Sequence, residues 1–422
     1  MSKLRIHNFS FGKAGSNFLT KTWLDTSSSP PRKQTVHYYL NEKYLKMEDH
    51  SCHHDPQRSS IATSSSTLNP SQREYNIFFP GDIQLTRSDF IKYLNSDYPF
   101  EEEDMNENAN TNPQQQHDLN NTSHENHAPA ITEVYYEKVF DLLYEKFPNS
   151  VAYLIFQPSQ LDYTSLIYEY ENFYVKGNAN RLVLEILNDL FPHEYFGHDT
   201  CQAFVHLLAF SKGCVALNSL ISETTNFQWY LEQEDAESCI TFDHWKNTFK
   251  YRHWDENTSP LVQKCYRVPL LQEHIPLLNN TNFKPLMQQA VNFFKNQVKT
   301  IYYLDGHRFI TDEVILQKFY STIVYEKSTN SSSGCSTNSS NPLMMMIKIY
   351  QTPLVEEKNI YRKHIKMESE GFMKILKRTY SQLSRKNQTP CPNLVYQYYY
   401  GELENRVNPF VLHFKLLKDF QI

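Results

Sequence analysis

The sequence of 422 residues has no apolar run close to the roughly 20 residues that a membrane-spanning helix needs. It has no basic excess either, since 41 lysines and arginines stand against 47 aspartates and glutamates, for a formal net charge of −6. We therefore expect neither a transmembrane segment nor binding to nucleic acid. The seven cysteines are scattered and lack C-x-x-C spacing, which argues against a disulfide framework and a structural zinc site.

The chain also lacks a glycine-rich phosphate loop, and its clustered histidines at 49–54 and 117–127 lack the spacing of metal ligands. We therefore expect no cofactor and no metal. The N-terminus lacks the apolar core of a secretory signal. Four basic residues (Lys3, Arg5, Lys13 and Lys21) precede the first acidic residue, Asp25, which is compatible with a mitochondrial presequence, although arginine is scarce. The alternative location is the cytoplasm.

Three segments have the composition of disordered loops, because their apolar residues are too few to offset the entropy of an ordered chain. Residues 51–72 are rich in Ser, His, Pro and Thr, and residues 328–341 are almost entirely Ser, Asn, Thr and Gly. Residues 101–129 begin with four acidic residues and continue with Asn, Gln and His.

Between these loops, strand-like and helix-like segments alternate. Strands are predicted at 75–79, 151–157, 204–210, 299–304, 343–350 and 393–400, and helices at 133–147, 180–191, 214–222, 286–296, 311–321 and 360–383. This alternation predicts an α/β protein with a mostly parallel sheet and helices on both faces.

We predict one domain over residues 75–422, in which residues 223–285, rich in Trp, Phe and His, form an inserted cap. Residues 1–74 are predicted to be an N-terminal extension with a Ser/His-rich loop. Its edge strands are predicted at 4–11 and 35–40.

The most informative stretch is 205–217, V-H-L-L-A-F-S-K-G-C-V-A-L, in which an apolar strand turns sharply into an apolar helix at Ser211. This arrangement resembles the nucleophile elbow of α/β-hydrolases, G-x-S-x-G, with Ala209 at the first glycine and Gly213 at the second. Small residues are needed there because the strand and the helix come close together. The alternative is that Ser211 only caps the helix N-terminus.

Four segments together resemble a eukaryotic family whose human member is the chromosome 2 open-reading-frame 69 protein. They are F-F-P-G-D-I-Q (78–84), F-P-N-S (147–150), F-S-K-G-C-V-A-L-N (210–218) and Y-Y-L-D-G (302–306). The similarity runs from about residue 75 to the C-terminus. It implies an α/β-hydrolase-like fold and a mitochondrial location, whereas the family has no established substrate.

Acyl transfer needs a nucleophile, a base, an acid that orients the base, and donors for the oxyanion. Ser211 is the candidate nucleophile, and the backbone N–H of Lys212, which follows it, is one candidate oxyanion donor. The second donor is expected in the loop at Gly81, although an ordinary turn explains this loop equally well. Asp82 either caps a turn or lines the pocket, because its charge beside an oxyanion would oppose catalysis.

Asp305 is the favoured acid because it ends a predicted strand and lies in a matched segment, but Asp-Gly is also a common turn pair. Glu356 and Glu357 are the rival acids. His413 is the candidate base, as the histidine near the C-terminus in the expected chain order of Ser, acid and His. His307 is the second candidate base, although a surface histidine is the more ordinary interpretation.

The resemblance leaves the base open. Where the family has N-H-F and a second histidine three residues after the first, this chain has Asn408–Pro409–Phe410 and then His413. The sequence therefore predicts a serine hydrolase acting on an ester, thioester or amide of a small or acylated substrate. The alternative is a catalytically inactive relative that binds or regulates, and a protein partner remains open.

Overall fold

The computed structural model alternates strands with helices along the part of the chain that it describes. That part comprises residues 19–25, 32–41, 73–81, 128–158, 160–162, 167–170, 173, 179–232, 284–306, 309–310, 313–324, 345–352, 360–387, 394–399 and 409–422. The predicted strand at 4–11 and the predicted loops at 51–72 and 328–341 lie outside these residues. So do residues 233–283 of the predicted cap and residues 101–127 of the acidic loop.

Each described element has the following bounds. The strands are β1 (Leu19–Asp25), β2 (Arg32–Leu40), β3 (Glu74–Phe79), β4 (Ala152–Phe156), β5 (Gln160–Asp162), β6 (Ile167–Glu169), β7 (Phe204–Phe210), β8 (Val298–Leu304), β9 (Met346–Gln351) and β10 (Leu394–Tyr398). The helices are α1 (Ala128–Lys146), α2 (Ala179–Leu190), α3 (Cys214–Leu231), α4 (Lys284–Asn292), α5 (Glu313–Lys318), α6 (Ile360–Asn387) and α7 (Pro409–Asp419).

Eight strands form one sheet in the order β1-β2-β4-β3-β7-β8-β9-β10, and β5 and β6 form a separate pair. Strand β2 runs antiparallel to both of its neighbours, whereas every other pair in the large sheet is parallel. Numbered along the chain, the sheet has the order 1-2-4-3-5-6-7-8 with the second strand reversed. This is the strand order of the α/β-hydrolase fold, so the predicted fold class is confirmed.

The central strands bury both faces, because successive side chains point to opposite sides of a sheet. On one face, Ile77 and Leu207 belong to a core that includes residues of α2, α3, α4 and α6. On the other face, Phe78 and Leu208 pack in a core that includes residues of α1 and α7. The largely apolar composition of these strands follows from this double burial.

The N-terminal strands belong to the sheet, although part of this arrangement was not predicted. The strand predicted at 35–40 extends over Arg32–Leu40, and it is not an edge strand because β1 pairs along its outer side. Strand β1 was missed because its sequence, L-T-K-T-W-L-D, is largely polar. Polar side chains are common in a strand at the edge of a sheet.

The helix predicted at 214–222 is longer than expected, because α3 continues to Leu231, into the segment predicted as a cap. The extension buries polar side chains that conceal its helical pattern. Thr225 Oγ1 donates to the carbonyl of Ile221 at 2.7 Å, and Asn226 Nδ2 donates to the carbonyl of Ser222 at 2.8 Å. A smaller correction concerns α1, which begins at Ala128, inside the segment predicted to be disordered.

Among the described helices, none combines the length and the apolar character needed to span a membrane.

Candidate active site

Strand β7 turns directly into a helix at Ser211. The strand ends at Phe210, residues Ser211–Gly213 form one 3-10 turn, and α3 begins at Cys214. Ser211 has a positive φ of 53°, which is uncommon for a residue other than glycine. It is half-buried, so it is not enclosed in the core. The capping position of the turn is Phe210, with no side-chain cap bond, so the interpretation of Ser211 as a helix cap is wrong.

Small residues allow this turn to lie against β3. A Cβ on Gly213 would lie 2.0 Å from the carbonyl oxygen of Phe79, which no side chain allows. A Cβ on Gly81 would lie 2.7 Å from the Cβ of Ser211 and 3.2 Å from its Oγ. Ala209, at the first small position, is completely buried. The loop after β3 therefore contacts the serine directly, as the sequence pattern suggested.

Asp305 directly follows β8, with a φ of 48° and a fully buried side chain. Thr352, after β9, donates its backbone N–H to Asp305 Oδ1 at 2.9 Å and its hydroxyl to Oδ2 at 2.5 Å. The ring of His413 also contacts this carboxylate, with Nδ1 2.5 Å from Oδ2. The structure thus brings together the acid and the base that were predicted from the sequence.

His413 lies in helix α7, which follows β10 along the chain. Pro409 is the first residue of α7, and proline suits this position because the first turn leaves its N–H groups without helical partners. The ring of His413, only 8% exposed, stacks on Phe210 with a centroid separation of 4.3 Å. Since Phe210 precedes Ser211, this contact holds the histidine beside the elbow.

The hydrogen bond to Asp305 assigns the proton on the imidazole. An ionised carboxylate only accepts hydrogen bonds, so Nδ1 carries the hydrogen and Nε2 is left to accept a proton. Within the described part of the chain, the Ser211 hydroxyl has no hydrogen bond, so a bond from Ser211 to His413 is not made in this conformation. Catalytic hydrogen bonds of this kind often tighten only when substrate is bound.

The loop after β3 is held by a buried tyrosine. The hydroxyl of Tyr170 donates to the carbonyl of Pro80 at 2.5 Å, next to Gly81. On the other side of the serine, Lys212 is buried in the 3-10 turn. Two backbone segments, at Gly81 and at Lys212, therefore flank Ser211, as an oxyanion hole in this fold requires.

A second tyrosine fixes β8 against α3. Tyr303 lies two residues before Asp305, and its Oη donates to Asn218 Oδ1 at 2.9 Å. Burial raises the pKa of Tyr303 well above its ordinary value, and the nearby Cys214 adds to this effect. The phenol therefore stays neutral and serves as a structural donor.

Four candidates from the sequence lie outside the described residues: Asp82, His307, Glu356 and Glu357. Sequence reasoning missed two contributors, Thr352 and Phe210. A threonine after a strand and a phenylalanine at the end of one are too common to be informative. Only the fold shows that they contact Asp305 and His413.

No protein-family model matches the chain, and no curated protein does. Among solved structures, the chain is similar to the peroxisomal alpha-beta-hydrolase Lpx1 from Saccharomyces cerevisiae, with 10% identity over 90% of this chain and 92% of the other. The TM-score is 0.27, so this likeness adds nothing to what the strand order establishes. The similarity to the open-reading-frame 69 family stays a prediction from the sequence.

Proposed function

We propose that this protein is a serine hydrolase that cleaves an ester, thioester or amide. Ser211 Oγ attacks the carbonyl carbon while its proton passes to His413 Nε2, and the leaving group then takes that proton. Water attacks the resulting acyl-enzyme in the same way and restores the serine. Asp305 orients the imidazole, and the backbone N–H groups of Lys212 and Gly81 stabilise the oxyanion.

The observation that carries this proposal is the hydrogen bond between Asp305 and His413 beside a strained serine. A serine without a base is a poor nucleophile at neutral pH, and the alternative of an inactive relative rested on doubt about the base. The contact of His413 with a buried carboxylate supports it as that base. The mitochondrial location belongs to the proposal as well, supported by the N-terminal composition, and imaging of a C-terminally tagged chain tests it.

Labelling with a fluorophosphonate probe, which reacts with activated serines, tests the proposed reaction. The wild type is expected to be labelled and Ser211→Ala is not. Ser381→Ala, which removes a surface hydroxyl on α6, is the matched control and is expected to react like the wild type. Labelling that persists in Ser211→Ala would exclude Ser211 as the nucleophile.

Asp305→Asn tests the orienting carboxylate with little change in shape, since asparagine also tolerates a positive φ. We expect its labelling rate to fall by about 10²-fold or more, because general-base catalysis contributes about 10²–10⁴-fold. A folded wild type that reacts with no such probe would instead favour the inactive, binding form of this fold.

A further inference from the structure

A cavity of about 250 Å³ lies at the amino-terminal end of the central strands. Its lining includes Glu74, Lys299 and Lys348, which lie at or near the starts of β3, β8 and β9. Ser211 and Asp305 follow the last residues of β7 and β8 at the opposite edge of the sheet. Since a strand of seven residues is about 20 Å long, the cavity is separate from the candidate active site.

The side chains around this cavity carry more positive than negative charge. Three lysines, Lys146, Lys299 and Lys348, line it together with one acidic side chain, that of Glu74, and the C-terminal residue Ile422 lies in the lining as well. Glu74 is already engaged, because its Oε1 accepts from Lys299 Nζ at 2.7 Å and its Oε2 lies 3.8 Å from His206 Nε2. His206, and then Lys299, hold the pKa of Glu74 at about 2 against the opposing effect of burial.

The other two lysines form no ion pair with a described residue. Lys146 Nζ donates to the carbonyl of Phe420 at 2.7 Å. Lys348 is only 9% exposed, and its Nζ lies 5.4 Å from the centroid of the Tyr302 ring. Burial lowers the pKa of Lys348, because the ammonium group loses part of its hydration. A bound anion would offset this loss of hydration.

A second polar group points to the same conclusion. His206 lines the cavity and is only 4% exposed, yet its Nδ1 has no hydrogen-bond partner in the described structure. A buried polar atom without a partner costs about 1–3 kcal/mol, so such atoms usually have a reason to persist. A ligand with a polar group would supply the missing partner.

The strand pairing is also irregular at this place. Val205 pairs with Val298 and His206 pairs with Thr300, so Lys299 is an extra residue in β8. Adjacent residues of a regular strand face opposite ways, yet Lys299 and Thr300 both line the cavity. Bulges of this kind often redirect side chains at functional sites.

We propose that this cavity binds a small organic oxyanion, either a phosphate or a carboxylate. Lys348 and Lys146 bind the oxyanion, and the rings of Phe147 and Tyr302 contact an apolar body. Lysine suits this role as a point charge for either kind of anion. The volume is slightly below the range of about 300–1,000 Å³ for drug-sized ligands, so it suits a molecule with a single ring.

Isothermal titration calorimetry on the full chain tests this site with phenyl phosphate, benzoate and benzamide, the last being the neutral analogue of benzoate. At least one anion is expected to bind with a Kd of about 1 mM or tighter, and benzamide is not. The preferred anion distinguishes phosphate from carboxylate. Failure of both anions to bind, or equal binding of benzamide, would overturn the proposal.

Lys348→Met is expected to weaken binding by about tenfold or more, and Lys348→Arg to retain most of it. Lys377→Met is the matched control, because Lys377 is an exposed lysine 5.8 Å from the ring of Tyr396 on another surface. Lys146→Met gives a second test if Lys348→Met does not fold. Wild-type affinity in both Lys348→Met and Lys146→Met would overturn the proposal.

Ser211→Ala separates this site from the proposed hydrolase site. Because the readout is binding rather than hydrolysis, the variant is expected to bind the anion as the wild type does. Binding that disappears in Ser211→Ala would show that the anion occupies the active site instead, and would overturn the inference while leaving the hydrolase proposal intact.

Discussion

Backbone strain is concentrated at two of the candidate catalytic residues. In the described chain, three residues other than glycine have a positive φ, and two of them are Ser211 and Asp305. Each such conformation costs about 1–3 kcal/mol and persists only where the surrounding structure enforces it. Both residues come directly after central strands, so the rigid sheet fixes the positions of the nucleophile and the orienting acid.

The close approach of Gly81 to the serine leads to a prediction for Gly81→Ala. The new Cβ would lie 2.7 Å from Ser211 Cβ, so the serine or the loop must move. We expect the rate of fluorophosphonate labelling to fall by about tenfold or more, because catalytic geometry is sensitive to shifts of about 1 Å. The rate is measured on protein whose folded fraction has been checked by circular dichroism.

Gly371→Ala is the matched control for this glycine substitution. Gly371 lies within α6, and a Cβ there would meet no atom within 4 Å. Its labelling rate is expected to equal that of the wild type. If Gly81→Ala reacted as fast as Gly371→Ala, then the loop after β3 would have no part in the reaction.

Gly213 sets how closely α3 approaches β3. An added Cβ would lie 2.0 Å from the backbone oxygen of Phe79. The backbone at the end of a central strand cannot move away without disturbing the strand pairing. We expect Gly213→Ala to lower the free energy of unfolding by about 3 kcal/mol or more, because overpacking outweighs the gain in helix propensity. Gly371→Ala should raise it by about 1 kcal/mol. Urea denaturation measures both changes, and equal stability of the two variants would contradict the prediction.

A buried glutamate joins helices α2 and α3. Glu223 of α3 accepts the backbone N–H groups of Ala179 and Asn180, at the start of α2, at 3.0 and 2.9 Å. Burial nevertheless raises the pKa of Glu223 to about 7, against the opposing effect of these hydrogen bonds. The folded protein therefore binds this proton more tightly than the unfolded chain does.

This pKa predicts how the helix pair responds to pH. Because the folded pKa lies above the ordinary value of 4.5, the stabilising contribution of the protonated group is complete below pH 4.5 and is lost as pH rises through about 7. We expect the unfolding free energy of the wild type, relative to Glu223→Gln, to fall by about 2–3 kcal/mol over this range. Denaturation curves of both proteins from pH 4.5 to 8 measure the difference, and a constant difference would contradict the prediction.

Features of the fold that depend on neighbouring residues could be predicted from the sequence. Central strands are mostly apolar because both of their faces are buried, and the elbow requires small residues at Ala209 and Gly213. These constraints act on neighbouring residues, so they are visible in a short stretch of sequence. The same reasoning placed Asp305 at the end of a strand.

Features that depend on distant partners could not be predicted in this way. Thr352 contacts the Asp305 carboxylate only because β9 lies next to β8, which brings the threonine hydroxyl to Asp305. Strand β1 was hidden for a similar reason, because its polar side chains pair with residues far along the chain.

Strand β1 adds residues Leu19–Asp25 to the sheet. Thr20 Oγ1 lies 2.8 Å from His37 Nδ1 in β2, and Lys21 Nζ lies 2.5 Å from Asp189 Oδ2 in α2. The indole of Trp23 donates to the same carboxylate at 3.0 Å. Loss of β1 would therefore remove side-chain contacts with β2 and α2 as well as the backbone pairing along β2.

Two truncations test this role of β1. A chain that starts at Thr26 is expected to unfold with a free energy at least about 2 kcal/mol lower than one that starts at Leu19, because each lost hydrogen bond contributes about 0.5–1.5 kcal/mol. Comparison of the two chains by urea denaturation isolates the seven residues of β1 from those before it.

If β1 stabilises the sheet in this way, a presequence removed on import into mitochondria should end before Leu19. N-terminal sequencing of the organellar protein would show where cleavage occurs. Equal stability of the two chains would mean that β1 is dispensable and that cleavage could extend through it.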